Sequence, residues 1–312
     1  MEPRTPTSPL IVSLPDPGLR GLFQDVPDGV EFITWDMTSP APVADIDIVV
    51  PPYLVGPQVL THLASANVRL VQSPTLGYDG VEEVLPSGQV FANAASVHET
   101  STAELTVALI LASQRGIPDF VRAAERGKWE RSWRSSLADR TVILVGYGGV
   151  GHAIEARLLP FECTVVRVAN HARSDARGEI HAIDALPELL PLADVVVIAV
   201  PLTKETTHLV DDAFLSRMRD GSLFVNISRG PVADTTALLA HASDGRLRLA
   251  LDVTDPEPLP DGHPLFALPN VLISPHVGGA TSAALPRLAR LITEQIERMQ
   301  RGEEPLNVVL RT

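Results

Sequence analysis

Short apolar and β-branched runs recur along the first part of the chain, at 10–14, 30–35, 46–50, 69–72 and 90–94. Each has the length and composition of a buried strand. Helix-compatible stretches such as 56–66 lie between several of them, the pattern of a small parallel α/β domain. After His98 the period changes. Ser101-Thr102-Ala103-Glu104 fits a capping box, and Leu105, Leu109 and Ile110 then run at helical spacing toward Arg115, so a long helix is expected to lead into a second domain. Further strand candidates lie at 163–168, 195–200, 223–227, 248–253 and 271–274, each spaced for a crossover helix. In 284–301, Leu285, Leu288, Ile292, Ile296 and Met299 recur at helical intervals. This last helix is expected to return to the first domain. The pattern predicts an α/β chain of two Rossmann-like or flavodoxin-like domains with parallel sheets. One domain, residues 1–98 and 285–312, would be discontinuous, and the other, 99–284, inserted into it.

The stretch 141–151, TVILVGYGGVG, carries the most information. Val142, Ile143, Leu144 and Val145 read as a strand buried on both faces. Gly146 permits a tight turn, Gly148 has no side chain to hold a pyrophosphate away, and Gly151 permits close approach of helix and strand. The amides of Gly149 and Val150 open a helix that continues through Ile154, Leu158 and Phe161, and a helix N-terminus favours an anion. Strand, glycine turn and helix together predict a dinucleotide site, with a ligand-free turn as the alternative.

At 312 residues, 45% hydrophobic and 20% charged, the chain fits two domains with sizeable cores. A net charge of −13 without a basic cluster argues against nucleic acid. The single cysteine, Cys163, excludes an intramolecular disulfide and fits a reducing, cytoplasmic setting. No stretch reads as a membrane span, and the N-terminal MEPRTPTSPL lacks the apolar core of a signal peptide. No metal is expected.

Three polar groups follow strand candidates in the second half: Arg229 after LFVNIS, Glu257 after ALDVTDP and His276 after VLISP. In an open parallel sheet, ligands bind beyond the carboxyl ends of the strands. Each residue alone is more often structural. Their joint appearance at equivalent places predicts a common site with the glycine turn.

Several segments, in this order, resemble the D-isomer-specific 2-hydroxyacid dehydrogenase family. They are SPTLGYDGV at 73–81, TAEL at 102–105, VGYGGVG at 145–151, NISRGPVAD at 226–234, LDVTDPEPLP at 251–260 and SPHVGGAT at 274–281. TAEL and LDVTDPEPLP are most similar to the glyoxylate/hydroxypyruvate reductases. The resemblance implies an oxidoreductase moving a hydride between NAD(P)H and a small 2-keto or D-2-hydroxy acid, with 99–284 as the cofactor domain and the rest as the substrate domain. Arg229 would bind substrate through a fork matched to carboxylate and carbonyl oxygens. His276 would be the acid/base, with Glu257 favouring its imidazolium. The amides of Leu76 and Gly77 would hold the substrate carboxylate. Asp252 would meet the nicotinamide carboxamide, although a turn-capping role stays open for it. Ile227 would line the nicotinamide ring, Val200 and Pro201 the adenosine half, and Gly278 falls in the same cofactor set.

One departure bears on the cofactor. An acidic residue is expected about twenty residues beyond the glycines to bind the ribose hydroxyls, yet Ala169-Asn170-His171-Ala172-Arg173 stands there. Asn170, His171 and Arg173 suit a 2′-phosphate, so NADP(H) is favoured over NAD(H). Asp175 lies near enough to keep NAD(H) open. The family resemblance also implies a homodimer through the helix after residue 100, while its apolar run equally suits intramolecular packing. Trp129 and Trp133, four apart in KWERSW, suit helix packing, a subunit contact or a cap on the cleft. Two other functions fit the same motifs: a phosphoglycerate-dehydrogenase-type enzyme, and a non-enzymatic NAD(H)-sensing, corepressor-like binding protein.

Overall fold

The computed structural model describes residues 8–23, 28–53 and 55–312. The first seven positions of the N-terminal stretch read above lie outside them. The chain separates into two compact units, residues 1–98 with 282–312, and residues 99–281.

The first unit is built on strands β1 (Leu10–Leu14), β2 (Val30–Thr34), β3 (Asp45–Val49), β4 (Asn67–Gln72) and β5 (Val90–Ala92), with a last strand β14 (Val308–Arg311). They form one six-stranded sheet in the order β14-β5-β4-β3-β1-β2. All neighbours are parallel except β14, which runs antiparallel to β5. The core of this unit forms two apolar clusters. Val12, Leu14, Ile48 and Leu70 pack with Leu288, Leu291, Ile292 and Ile296 of the helix Ala284–Gln300. Ile46, Val49, Val68 and Val71 pack with Leu60 and Leu63 in the second. The C-terminal helix is also fixed by a polar contact: buried Gln295 donates to Gln72 Oε1 at 2.8 Å and accepts from the Leu306 amide at 2.9 Å. The stretch read as helix-compatible at 56–66 is a 3-10 helix, Pro57–Ser65.

The second unit carries β6 (Thr141–Val145), β7 (Thr164–Ala169), β8 (Arg173–Asp175), β9 (Gly178–Ala182), β10 (Val195–Ile198), β11 (Leu223–Asn226), β12 (Arg248–Leu251) and β13 (Val271–Ile273). The sheet order is β13-β12-β11-β10-β6-β7-β9-β8. Its strands are parallel apart from the antiparallel β8–β9 hairpin. The order reverses between β6 and β10, which makes the space beyond their carboxyl ends the topological switch point. Val142, Leu144, Val195, Val197, Leu223 and Val225 line one face of the sheet, against Ala103, Val107 and Ile110 of the helix Glu99–Arg115.

Three local expectations differ from the structure. The long helix begins at Glu99, so Ser101 lies inside its first turn and is not a cap; its hydroxyl meets that of Thr281 at 2.8 Å. The connection from β12 to β13 contains a 3-10 turn, Pro264–Ala267, in place of a crossover α-helix. Trp129 and Trp133 lie in a segment without helix and are 88% and 102% exposed, so they are not packed inside the unit. Among the described residues, no helix is long and apolar enough to cross a membrane, and no group of three or more His, Cys, Asp or Glu side chains is arranged to hold a metal.

Candidate active site

The glycine turn joins β6 to the helix Gly149–Leu158 at the switch point. Gly146 adopts φ +102°, and a Cβ there would run into the Ala199 carbonyl at the end of β10. A Cβ on Gly151 would strike the Gly146 carbonyl, whereas one on Gly148 would meet nothing within 4 Å. Gly146 and Gly151 are thus required by packing. The open space at Gly148 lies before the first-turn amides of Gly149, Val150 and Gly151, which have no acceptor within their own helix. That combination fits a dinucleotide pyrophosphate. Val200 and Pro201 follow β10 directly, and Ile227, mostly buried, follows β11 and donates to the Ile198 carbonyl at 3.3 Å.

At the end of β7, Asn170, His171 and Arg173 are exposed. Arg173 Nη2 donates to the Tyr147 carbonyl at 3.1 Å, which lays its guanidinium against the glycine turn. Asp175 is engaged by Arg167. Both its oxygens accept from Arg167 Nη1, at 2.9 and 3.0 Å, and Oδ1 also accepts from the Arg177 amide at 2.8 Å. The Arg177 amide and the Arg167 guanidinium hold this carboxyl below its ordinary range.

The sequence reading overlooked the side chain between the glycines. Tyr147 is 4% exposed. Its hydroxyl donates to Glu155 and accepts from Arg177 Nη2 at 2.6 Å. Glu155 in turn pairs with Arg177 Nη1 at 2.6 Å. A signal for this cluster was present in VVRVA, because an arginine inside an apolar strand is rarely buried without a partner.

The three residues singled out after strands arise from neighbouring strands β11, β12 and β13. Arg229 sits on a loop whose backbone is fixed by Asn226, which accepts from the Ser228 amide at 3.0 Å and donates to the Arg229 carbonyl at 3.0 Å. Gly230 is needed because a Cβ there would overlap the Thr254 carbonyl, so this loop lies directly on the segment beyond β12. Glu257 and His276 are in contact, with Nδ1 to Oε1 at 2.5 Å and both side chains partly exposed. With Nδ1 engaged, proton exchange falls to Nε2.

Asp252, 3% exposed, is the anchor of the histidine loop. It accepts from Ser274 Oγ at 2.6 Å, from the Val277 amide at 3.0 Å and from the Gly278 amide at 3.0 Å. Its own carbonyl accepts from the His276 amide at 2.7 Å. These bonds hold His276 at φ +52°, in the left-handed region. The Asp252 side chain thus caps the histidine turn.

In the first unit, Leu76 and Gly77 occupy a turn beyond β4. Thr75 Oγ1 donates to the Gly77 carbonyl at 2.9 Å, and Asn93 Nδ2 donates to the Leu76 carbonyl at 2.9 Å. Buried His98 bonds the Pro74 carbonyl at 2.7 Å and fixes the same turn from behind.

A family model described as "D-isomer specific 2-hydroxyacid dehydrogenase, NAD binding domain" matches residues 107–278. The chain is 34% identical over 253 residues to a glyoxylate reductase of Thermofilum pendens, covering 78% of this chain and 75% of that protein. It is 33% identical over 251 residues to the human glyoxylate reductase/hydroxypyruvate reductase, covering 77% and 76%. Among solved structures, a D-isomer specific 2-hydroxyacid dehydrogenase from Xanthobacter autotrophicus, in complex with NADPH and MES, is 28% identical. It superimposes with a TM-score of 0.83 over 97% of this chain and 98% of that one. The chain belongs to the D-isomer specific 2-hydroxyacid dehydrogenases. It is an NAD(P)-dependent oxidoreductase of that family.

Proposed function

We propose that this enzyme reduces a small 2-keto acid of the glyoxylate or hydroxypyruvate kind, with NADPH preferred to NADH. The observation that carries the catalytic part is the His276–Glu257 contact on a loop held by Asp252. The reduced nicotinamide supplies the hydride when bound. His276 delivers a proton from Nε2 to the carbonyl oxygen, and Glu257 fixes the ring through Nδ1. Arg229 pairs with the substrate's carboxylate and carbonyl oxygens and stabilises the negative charge that grows on oxygen. Gly146, Gly148, Gly149, Val150 and Gly151 cradle the pyrophosphate. Val200, Pro201, Ile227, Asp252 and Gly278 complete the cofactor site.

The preference for NADPH is supported by Arg173 against the glycine turn and by the engagement of the Asp175 carboxylate with Arg167. A homodimer is supported by the two exposed tryptophans, since large exposed aromatics mark association surfaces. The net charge and lone cysteine support a cytoplasmic protein without nucleic-acid or membrane partners. Steady-state kinetics with glyoxylate, hydroxypyruvate and 3-phosphohydroxypyruvate, each with NADPH and NADH, test the function. A higher kcat/KM for the phosphorylated acid would favour the phosphoglycerate-dehydrogenase type. Tight cofactor binding without turnover of any keto acid would favour a sensor.

A further inference from the structure

We propose that Arg167 is a positioning residue for cofactor choice: it retains the Asp175 carboxylate so that Arg173, beside Asn170 and His171, faces the 2′-phosphate without a competing negative charge. This rests on the NADP(H) preference proposed above. Arg167 sits inside β7 with its side chain 4% exposed. Every donor edge of its guanidinium is directed at a named group. Nη1 spans both Asp175 oxygens, Nη2 donates to the Glu179 carbonyl at 3.0 Å, and Nε lies 3.7 Å from Glu155. Its planar head also lies 5.2 Å from the centre of the Tyr147 ring. One buried cation therefore ties the β8–β9 hairpin to the strand beneath it and to the residue between the glycines.

The charges in this cluster cancel. Arg167 and Arg177 are matched by Glu155 and Asp175. Arg173 stands outside that balance, donating to the Tyr147 carbonyl. A monoester phosphate carries about −1.5 to −2 charges near neutral pH, so one unneutralised cation beside the turn is a large part of what distinguishes NADP(H) from NAD(H). Arg173 and Asp175 are two apart on β8, which places them on the same face about 7 Å apart. Released from Arg167, Asp175 would turn its charge on Arg173 and on any anion beside it. The choice of cofactor is thereby made by a side chain that touches no part of it.

Isothermal titration with NADP+, NAD+ and 2′,5′-ADP reads binding without turnover. The wild type is expected to bind NADP+ more tightly than NAD+. Arg167→Met is expected to weaken NADP+ and 2′,5′-ADP at least tenfold and NAD+ less than threefold. Adding Asp175→Asn to that variant should bring NADP+ back to within threefold of wild type. Arg167→Lys keeps a buried cation but not the two-oxygen grip, and should lose three- to tenfold for the same two ligands only. A wild type preferring NAD+ would overturn the cofactor assignment and this inference together. A wild type preferring NADP+, with variants that lose NADP+ and NAD+ alike or are not restored by Asp175→Asn, would overturn this inference alone.

Discussion

Nδ1 of His276 lies 2.5 Å from Oε1 of Glu257, although 19 residues separate them in the chain. The contact fixes the imidazole plane and leaves Nε2 as the ring nitrogen the proposed mechanism uses. His276→Ala is expected to lower kcat by about 10²- to 10⁴-fold, the usual contribution of a positioned acid/base. Cofactor affinity, read by fluorescence quenching, should change less than threefold. A near-normal kcat would remove His276 as the proton donor. Glu257→Gln should give a smaller loss, mainly in kcat, because the ring survives but the carboxylate that orients it does not.

Asp252 satisfies two amides and a hydroxyl of the loop that carries His276. Asp252→Ala leaves the buried Gly278 amide without an acceptor, and the part-buried Ser274 hydroxyl and Val277 amide lose theirs. A destabilisation of about 1–3 kcal/mol is expected, measured as a lower urea midpoint. An unchanged midpoint would show that the loop holds His276 by itself.

The glycines of the turn separate into two kinds by what a methyl group would meet. Gly146→Ala should destabilise the protein strongly, because φ +102° and the Ala199 carbonyl both oppose it. Gly148→Ala meets open space. It should leave the melting temperature nearly unchanged and weaken NADP+ binding by more than tenfold. Normal affinity in Gly148→Ala would place the pyrophosphate elsewhere.

Asp175 gives a pH dependence with a definite sign. Its folded-state carboxyl lies below its ordinary value, held there by the Arg177 amide and by Arg167. The stabilisation it contributes is present above the unfolded value, about 3.9, and is lost as pH falls through the lower folded one. Urea midpoints between pH 6 and pH 2.5 should fall less steeply in Asp175→Asn than in the wild type. Parallel curves would mean that the carboxylate is unpaired in solution.

Burial raises the Cys163 thiol above its ordinary value. Since the thiolate is the nucleophile, iodoacetamide at pH 8 should alkylate it more slowly than a free thiol, and unfolding in urea should remove the difference. Fast labelling of the native protein would contradict the half-buried position.

The elements with strong apolar runs were legible in the sequence, because a buried parallel strand leaves a continuous signature: β6 (TVILV), β10 (VVVI) and β11 (LFVN). The β8–β9 hairpin was not. Arg173, Ser174 and Asp175 are all exposed, so no apolar period marks the strand. Its place is fixed instead by Arg167 on the preceding strand and by the Tyr147 carbonyl in the glycine turn. Strand β14 likewise pairs with β5 from the far end of the chain. The capping-box pattern at Ser101 failed for a related reason, since the hydroxyl found Thr281 instead of its own helix. At the site, the placement of Glu257 and His276 just beyond neighbouring strands could be read from the sequence, and the structure shows them in contact. The service of Asp252 to the histidine loop depends on a left-handed backbone, which no motif announces.

That hydroxyl pair has a wider meaning. Ser101 and Thr281 stand at opposite ends of the nucleotide unit, yet only 2.8 Å separates their oxygens. A module whose entrance and exit share one doorway can be spliced into a host loop without stretching it, and exchanged between hosts as a cassette. The same junction lets one hydride-handling half be inherited intact while the other half is remade for a different acid.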